Sequence, residues 1–100
     1  MNDHEIKRLA EEAYNYAIET RRWFHTHPEL SNQEHETTSY IIDHLEQMGI
    51  PYVTPAPTGV IGVIRGSQPG KILGIRAEID ALPIQELNDV PYCSQNAGVM

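Results

Sequence analysis

Apolar residues at Ile6, Leu9, Ala10, Ala13, Ala17 and Phe24, with Tyr14 and Tyr16 beside them, recur at helical spacing rather than in alternation. The pattern predicts a long amphipathic helix over residues 3–24. Asn2 or Asp3 can accept hydrogen bonds from its first free amides, Asp3 and Glu5 suit the positive end of its dipole, and Arg21 and Arg22 sit near the negative end. Pro28 stops it, because the residue before a proline is pushed out of the helical region and His27 then belongs to the turn. Ser31 followed three residues later by Glu34 has the form of a capping box, with the Glu34 carboxylate reaching back to the Ser31 amide. A second helix starting there would bury Thr38, Ile41, Ile42, Leu45 and Met48. Gly49 can then take the left-handed conformation that ends it, with Ile50 folding back on Leu45.

Beyond Gly49 the pattern shifts to β-branched residues punctuated by Pro and Gly, which makes 52–54, 60–65 and 72–77 the predicted strands. Pro55 and Pro57 separate the first from the second. Residues 66–70, Gly-Ser-Gln-Pro-Gly, make a turn short enough to pair 60–65 with 72–77 as an antiparallel hairpin. After Asp80 no periodicity is sustained, and the last twenty residues read as loop. The expected class is α/β: two N-terminal helices, then a short strand and a β-hairpin.

One hundred residues, 40% of them hydrophobic, allow one domain at most and a thin core. Such a sheet has an open edge, so dimerisation or other self-association is expected. Seven basic against fourteen acidic residues leave a formal charge of −7 with no basic cluster, which argues against a nucleic-acid partner. No apolar run is long enough to span a membrane, and the first residues do not resemble a signal peptide. No membrane partner is therefore expected, and the expected compartment is the cytoplasm. Cys93 is the single cysteine and reads as a small buried hydrophobe; it has no partner for an internal disulfide.

Five histidines raise the question of metal binding. His25 and His27 are two apart, which on a helix aims their rings about 200° apart, so both are expected to hydrogen-bond carbonyls at the helix end. His4-Glu5 and His35-Glu36 begin like a zincin motif, but no second His follows where it is needed, and both read as solvated faces. Glu78 and Asp80 carry more weight. They end an apolar stretch at alternate positions, and two carboxylates on one face repel unless one is protonated, a cation bridges them, or Arg76 pairs with one. Gly59, Gly62 and Gly66 lack phosphate-loop spacing and read as turn and close-packing residues.

Taken together, Arg21, Arg22, Phe24, His25, His27-Pro28-Glu29-Leu30-Ser31, Glu34 and Thr37 form one block. Thr58-Gly59-Val60, Gly62, Gly66, Arg76-Ala77-Glu78-Ile79-Asp80-Ala81-Leu82-Pro83-Ile84, Pro91-Tyr92 and Gly98-Val99-Met100 follow. This series resembles the opening of the metal-dependent amidohydrolases, the metallopeptidase family that includes hippurate and N-acyl-amino-acid hydrolases. The resemblance implies that residues 1–100 are the N-terminal part of a helix-flanked, mixed-sheet catalytic domain that lacks its lid or dimerisation domain and its metal site.

It further implies two divalent ions, zinc, manganese, cobalt or nickel, in the full-length enzyme and none in this segment alone, with a small N-acyl amino acid as substrate. The family's His-Ala-Cys-Gly-His-Asp motif would follow Met100, so neither a metal ligand nor the general base maps onto these residues. Many members carry Asp where this chain has Glu78, which weakens the carry-over to Glu78. Asp80 matches the family's Asp, and its implied role is to orient a metal ligand or loop. The alternative for Asp80 is to close the strand end by accepting from backbone amides of the 81–83 turn.

Two functions follow. One is the N-terminal part of a metal-dependent amidohydrolase, inactive by itself; the other is a stand-alone, non-catalytic interaction module or remnant that uses its uncovered apolar surface.

Overall fold

Asn2 adopts an extended backbone, and its side-chain oxygen accepts the Glu5 amide at 2.9 Å, which starts α1 (Asp3–Thr26). This computed structural model describes all of residues 1–100. α1 runs to the proline signal as predicted, and the His27 amide closes it onto Trp23 and Phe24 carbonyls. α2 (His35–Gln47) follows.

Its start departs from the predicted capping box. The side chain of Glu34 makes no capping bond, and its carboxylate instead accepts the amide of Asn32, a residue at φ 66°. The cap comes from Glu29. Its Oε1 accepts both the amide and the hydroxyl of Thr37, at 2.6 and 2.7 Å, and its Oε2 accepts the Glu36 amide at 3.2 Å. A charged acceptor serving several first-turn amides satisfies them better than the Ser31 hydroxyl could.

The other end of α2 matches expectation. Gly49 sits at φ 68° and the Ile50 amide reaches back to the Leu45 carbonyl at 2.9 Å. Aromatic rings join the helices. Trp23 is stacked between His27, 4.2 Å between centroids, and Tyr40, 3.6 Å, while the Tyr16 hydroxyl meets His44 Nδ1 at 2.6 Å.

β1 (Tyr52–Val53) pairs antiparallel with β2 (Ile61–Gly62), in the register Tyr52 to Gly62 and Val53 to Ile61, and the Val63 amide to the Pro51 carbonyl extends the ladder. Gly62 allows a close approach here, since a Cβ would lie 3.3 Å from Leu45 Cδ2 and crowd it. The α/β class and the order of two helices followed by an antiparallel strand pair agree with the sequence. The pairing is a correction: 60–65 joins 52–53, and 72–77 enters no ladder. Residues 63–65 and 71–73 instead flank an open hollow of about 660 Å³. Val63 is half-buried, but residues 64–78 are all exposed, with Ile72 at 99% and Ile75 at 90%, and a hairpin without a covered face is marginal in water.

Of the predicted α2 stripe Thr38 is buried and Ile41, Ile42 and Leu45 are half-buried, whereas Met48 is exposed. Four of the six buried residues are Glu34, Thr37, Thr38 and Glu86, and the core contributes only Val99 as a buried hydrophobic residue. The radius of gyration, 16.1 Å, exceeds the roughly 13 Å of a self-contained domain of this size. No helix is long and apolar enough to cross a membrane.

Candidate functional site

The last turn of α1 and the first turns of α2 form one wall of a cleft of about 590 Å³, and residues 77–81 form the other. A parallel bridge between Leu30 and Ala81, with the Ala81 amide on the Glu29 carbonyl at 2.8 Å, fixes that second wall beside the turn that Pro28 creates. Leu82 and Met100 exchange backbone bonds at 2.9 and 3.0 Å, so the return of the chain brings Met100 to the lining of the cleft.

The two carboxylates singled out in the sequence line the same cleft and the same smaller hollow beside it, but they differ in their partners. Glu78 pairs with Arg76 at 2.8 Å, both side chains well exposed, so the arginine answers the repulsion. Asp80 lines the cleft and also a second hollow of about 210 Å³ that it shares with Ser31, Glu34 and Thr58. It is exposed and makes no ion pair or side-chain hydrogen bond. The amides proposed as its alternative partners are taken, Ala81 by the Glu29 carbonyl and Leu82 by the Met100 carbonyl, and Pro83 has none to give.

The histidines also diverge. His27 Nδ1 bonds the Trp23 carbonyl at 2.8 Å, as expected for a helix end. His25 does not bond a carbonyl: its Nε2 lies 2.9 and 3.0 Å from the two oxygens of Glu86. Glu86 Oε1 also accepts the Ser94 amide at 2.6 Å, and Oε2 accepts the Asn88 side chain at 3.2 Å. The bond from His25, then that from the Ser94 amide, hold the Glu86 carboxyl below its ordinary value against the opposing effect of burial. Glu34 is likewise held low, first by the Thr58 hydroxyl beside it. Glu29 is lowered too: burial pushes it up, but the Thr37 hydroxyl and the Thr37 and Glu36 amides outweigh it.

No family profile matches the chain. Pairwise likeness is strong. The chain is 44% identical over its whole length to an N-acyl-L-amino acid amidohydrolase of Geobacillus stearothermophilus, of which it covers 27%. It is 39% identical over 95% of its length to thermostable carboxypeptidase 2 of Saccharolobus solfataricus, covering 25% of that protein. Among solved structures, a dinuclear metal-binding peptidase of the M20 family from Bacillus subtilis superposes with a TM-score of 0.84 at 43% identity. That match covers 90% of this chain and 26% of the other. The chain belongs to the amidohydrolase and M20 peptidase family. A second solved structure, from methicillin-resistant Staphylococcus aureus, superposes with a TM-score of 0.91 at 38% identity, covering 99% of this chain and 27% of that one. The chain therefore spans about a quarter of the length of the relatives it matches.

Whether this chain could hold a divalent ion is answered by its donors. No three His, Cys, Asp or Glu side chains converge on a point. His25 Nε2 is committed to Glu86, His27 Nδ1 to a carbonyl and Glu78 to Arg76. A stable site for a transition metal needs three or four convergent donors, so residues 1–100 do not fit one by themselves. His4, His35 and Glu36 are exposed, as solvated faces require, and Cys93 is half-buried. The residue that sequence reasoning missed is Glu86. It lies in a stretch without periodicity, and only its burial and its polar contacts in the fold distinguish it from the neighbouring Asp89.

Proposed function

We propose that this chain is the N-terminal part of the catalytic domain of a metal-dependent hydrolase that cleaves the amide bond of N-acyl amino acids. The observation that carries the reading is the 44% identity, extending over the whole chain, with an N-acyl-L-amino acid amidohydrolase. The family's dinuclear member supports a requirement for two divalent ions, drawn from zinc, manganese, cobalt or nickel. Their ligands and the general base would lie outside residues 1–100, which makes the segment alone inactive.

In this reading the segment contributes shape. The Phe24, Pro28 and Ile41 side chains give the cleft an apolar wall, and Asp80 presents a carboxylate without a protein partner at its rim. That carboxylate would orient a loop or ligand of the complete site, whereas Glu78 is occupied by Arg76. A small substrate, a cytoplasmic location, and neither nucleic-acid nor membrane partners accompany the reading. So does self-association through the uncovered apolar residues of 72–77. The same uncovered row favours the second reading, a non-catalytic interaction module. The two are separated by assaying the full-length protein that carries this segment on N-acetyl and N-benzoyl amino acids. Release of free amino acid supports the hydrolase, and a folded protein without hydrolytic activity supports the module.

A further inference from the structure

The Glu86 carboxylate is enclosed, its side chain 3% exposed, yet it belongs to no helix or strand. Enclosing a carboxylate is costly unless its oxygens are satisfied by donors. Here the donors come from three places. His25 is in the last turn of α1, Asn88 is two residues on, and the Ser94 amide belongs to the returning chain. Around this centre the return is stitched to the same helix end. The Gln95 amide meets the Thr26 carbonyl at 2.9 Å, and the Thr26 hydroxyl meets the Tyr92 carbonyl at 3.1 Å. Asn96 Nδ2 reaches the Pro28 carbonyl at 3.1 Å, and Ser94 Oγ donates to the Val99 carbonyl at 2.7 Å. The course of the chain from Ser94 to the Leu82–Met100 pair at the cleft is thus set at Glu86.

We propose that Glu86 is a positioning residue: by gripping His25 and the Ser94 amide at once, it fixes the return of residues 94–100 on the end of α1 and so sets the wall that Met100 contributes to the cleft. As far as catalysis is concerned, the inference rests on the amidohydrolase reading above. Glu86 does not touch the cleft itself; it acts through His25, which lines it, and through the Ser94-to-Met100 backbone.

The test uses the full-length protein carrying this segment, with Glu86→Ala, Glu86→Gln and His25→Gln variants, read by amide hydrogen exchange and by kinetics. Glu86→Ala is expected to speed exchange at the Ser94, Val99 and Met100 amides by at least about tenfold, leaving the Thr38 and Ile50 amides of α2 and its cap unchanged. It should lower kcat by about 10–100-fold with KM moved less, because a displaced wall misplaces reacting groups. Glu86→Gln keeps an acceptor for Ser94 and should fall between. Unchanged exchange over 94–100 in Glu86→Ala overturns the proposal, and so does acceleration spread evenly through α2, which would make Glu86 a general stabiliser. If Glu86→Ala does not fold, the Gln and His25→Gln variants carry the same comparison. A wild-type protein without amidohydrolase activity refutes the functional reading, while the exchange pattern still decides whether Glu86 holds the return.

Discussion

Glu29 and Thr37 are joined twice, the carboxylate oxygen Oε1 taking both the amide and the hydroxyl of the threonine, so a residue on the far side of the turn caps α2. Glu29→Ala leaves these first-turn donors without their acceptor and is expected to cost about 1–2 kcal/mol of stability, read by thermal or denaturant unfolding of the full-length protein. Glu29→Gln should lose less, since its oxygen still accepts.

The same carboxylates give stability a pH dependence of definite sign. Glu29, Glu34 and Glu86 all have folded values below the ordinary 4.5. Their contribution is therefore complete above about pH 4.5 and disappears as pH falls through the lowered values. Unfolding midpoints should be level from pH 6 to 7 and drop below pH 4.5, and the drop should be shallower in Glu86→Gln. An equal acid slope in that variant would contradict the role given to the Glu86 carboxylate.

The only tryptophan, Trp23, is packed face to face with Tyr40. Tyr40→Ala removes the ring that ties α2 to α1, and the expected loss is about 3–5 kcal/mol, as for other large aromatic truncations, reduced in proportion to the partial exposure of Tyr40. Trp23 emission should shift to the red as water reaches the exposed face. Emission unchanged in a folded variant would show that the stacking is absent in solution.

What the sequence made legible was local. Asn2, Pro28 and Gly49 mark the ends of helices because capping, ring closure and left-handed φ act within a few residues. The strand pairing was not legible, because 72–77 has the composition of a strand but no covered face among these residues to hold it in a ladder. The cap of α2 was misread from a short motif, since Ser31 and Glu34 have the right spacing while Glu29 reaches Thr37 only through the folded turn. For the site, Asp80 and Glu78 were visible as a pair, but their different fates depend on where Arg76 lies. Glu86 and His25 meet across 61 residues of chain, and no periodic pattern reports such a contact.

The exposed row gives an expectation for the free 100-residue piece. With Ile72 and Ile75 almost wholly in water and Leu73 84% exposed, it should self-associate or unfold without a sharp transition. Analytical ultracentrifugation checks this, and a monomer that unfolds cooperatively would contradict it.

Asp80 and Glu78 should respond differently to truncation in the full-length protein. Asp80→Ala is expected to lower turnover by about 10–100-fold with little change in the melting temperature of the metal-free form. Glu78→Ala loses only an exposed ion pair with Arg76 and should stay within about 1 kcal/mol of wild type, with turnover retained. Full turnover in a destabilised Asp80→Ala protein would assign Asp80 to structure alone.

The central claim is that this segment belongs to a hydrolase of N-acyl amino acids, and its most direct test is amino acid release by the purified full-length protein before and after chelation. The account predicts hydrolysis that chelator abolishes and zinc, manganese, cobalt or nickel restores. A folded, metal-loaded protein that releases no amino acid from any N-acyl substrate, or hydrolysis indifferent to chelator, would contradict it.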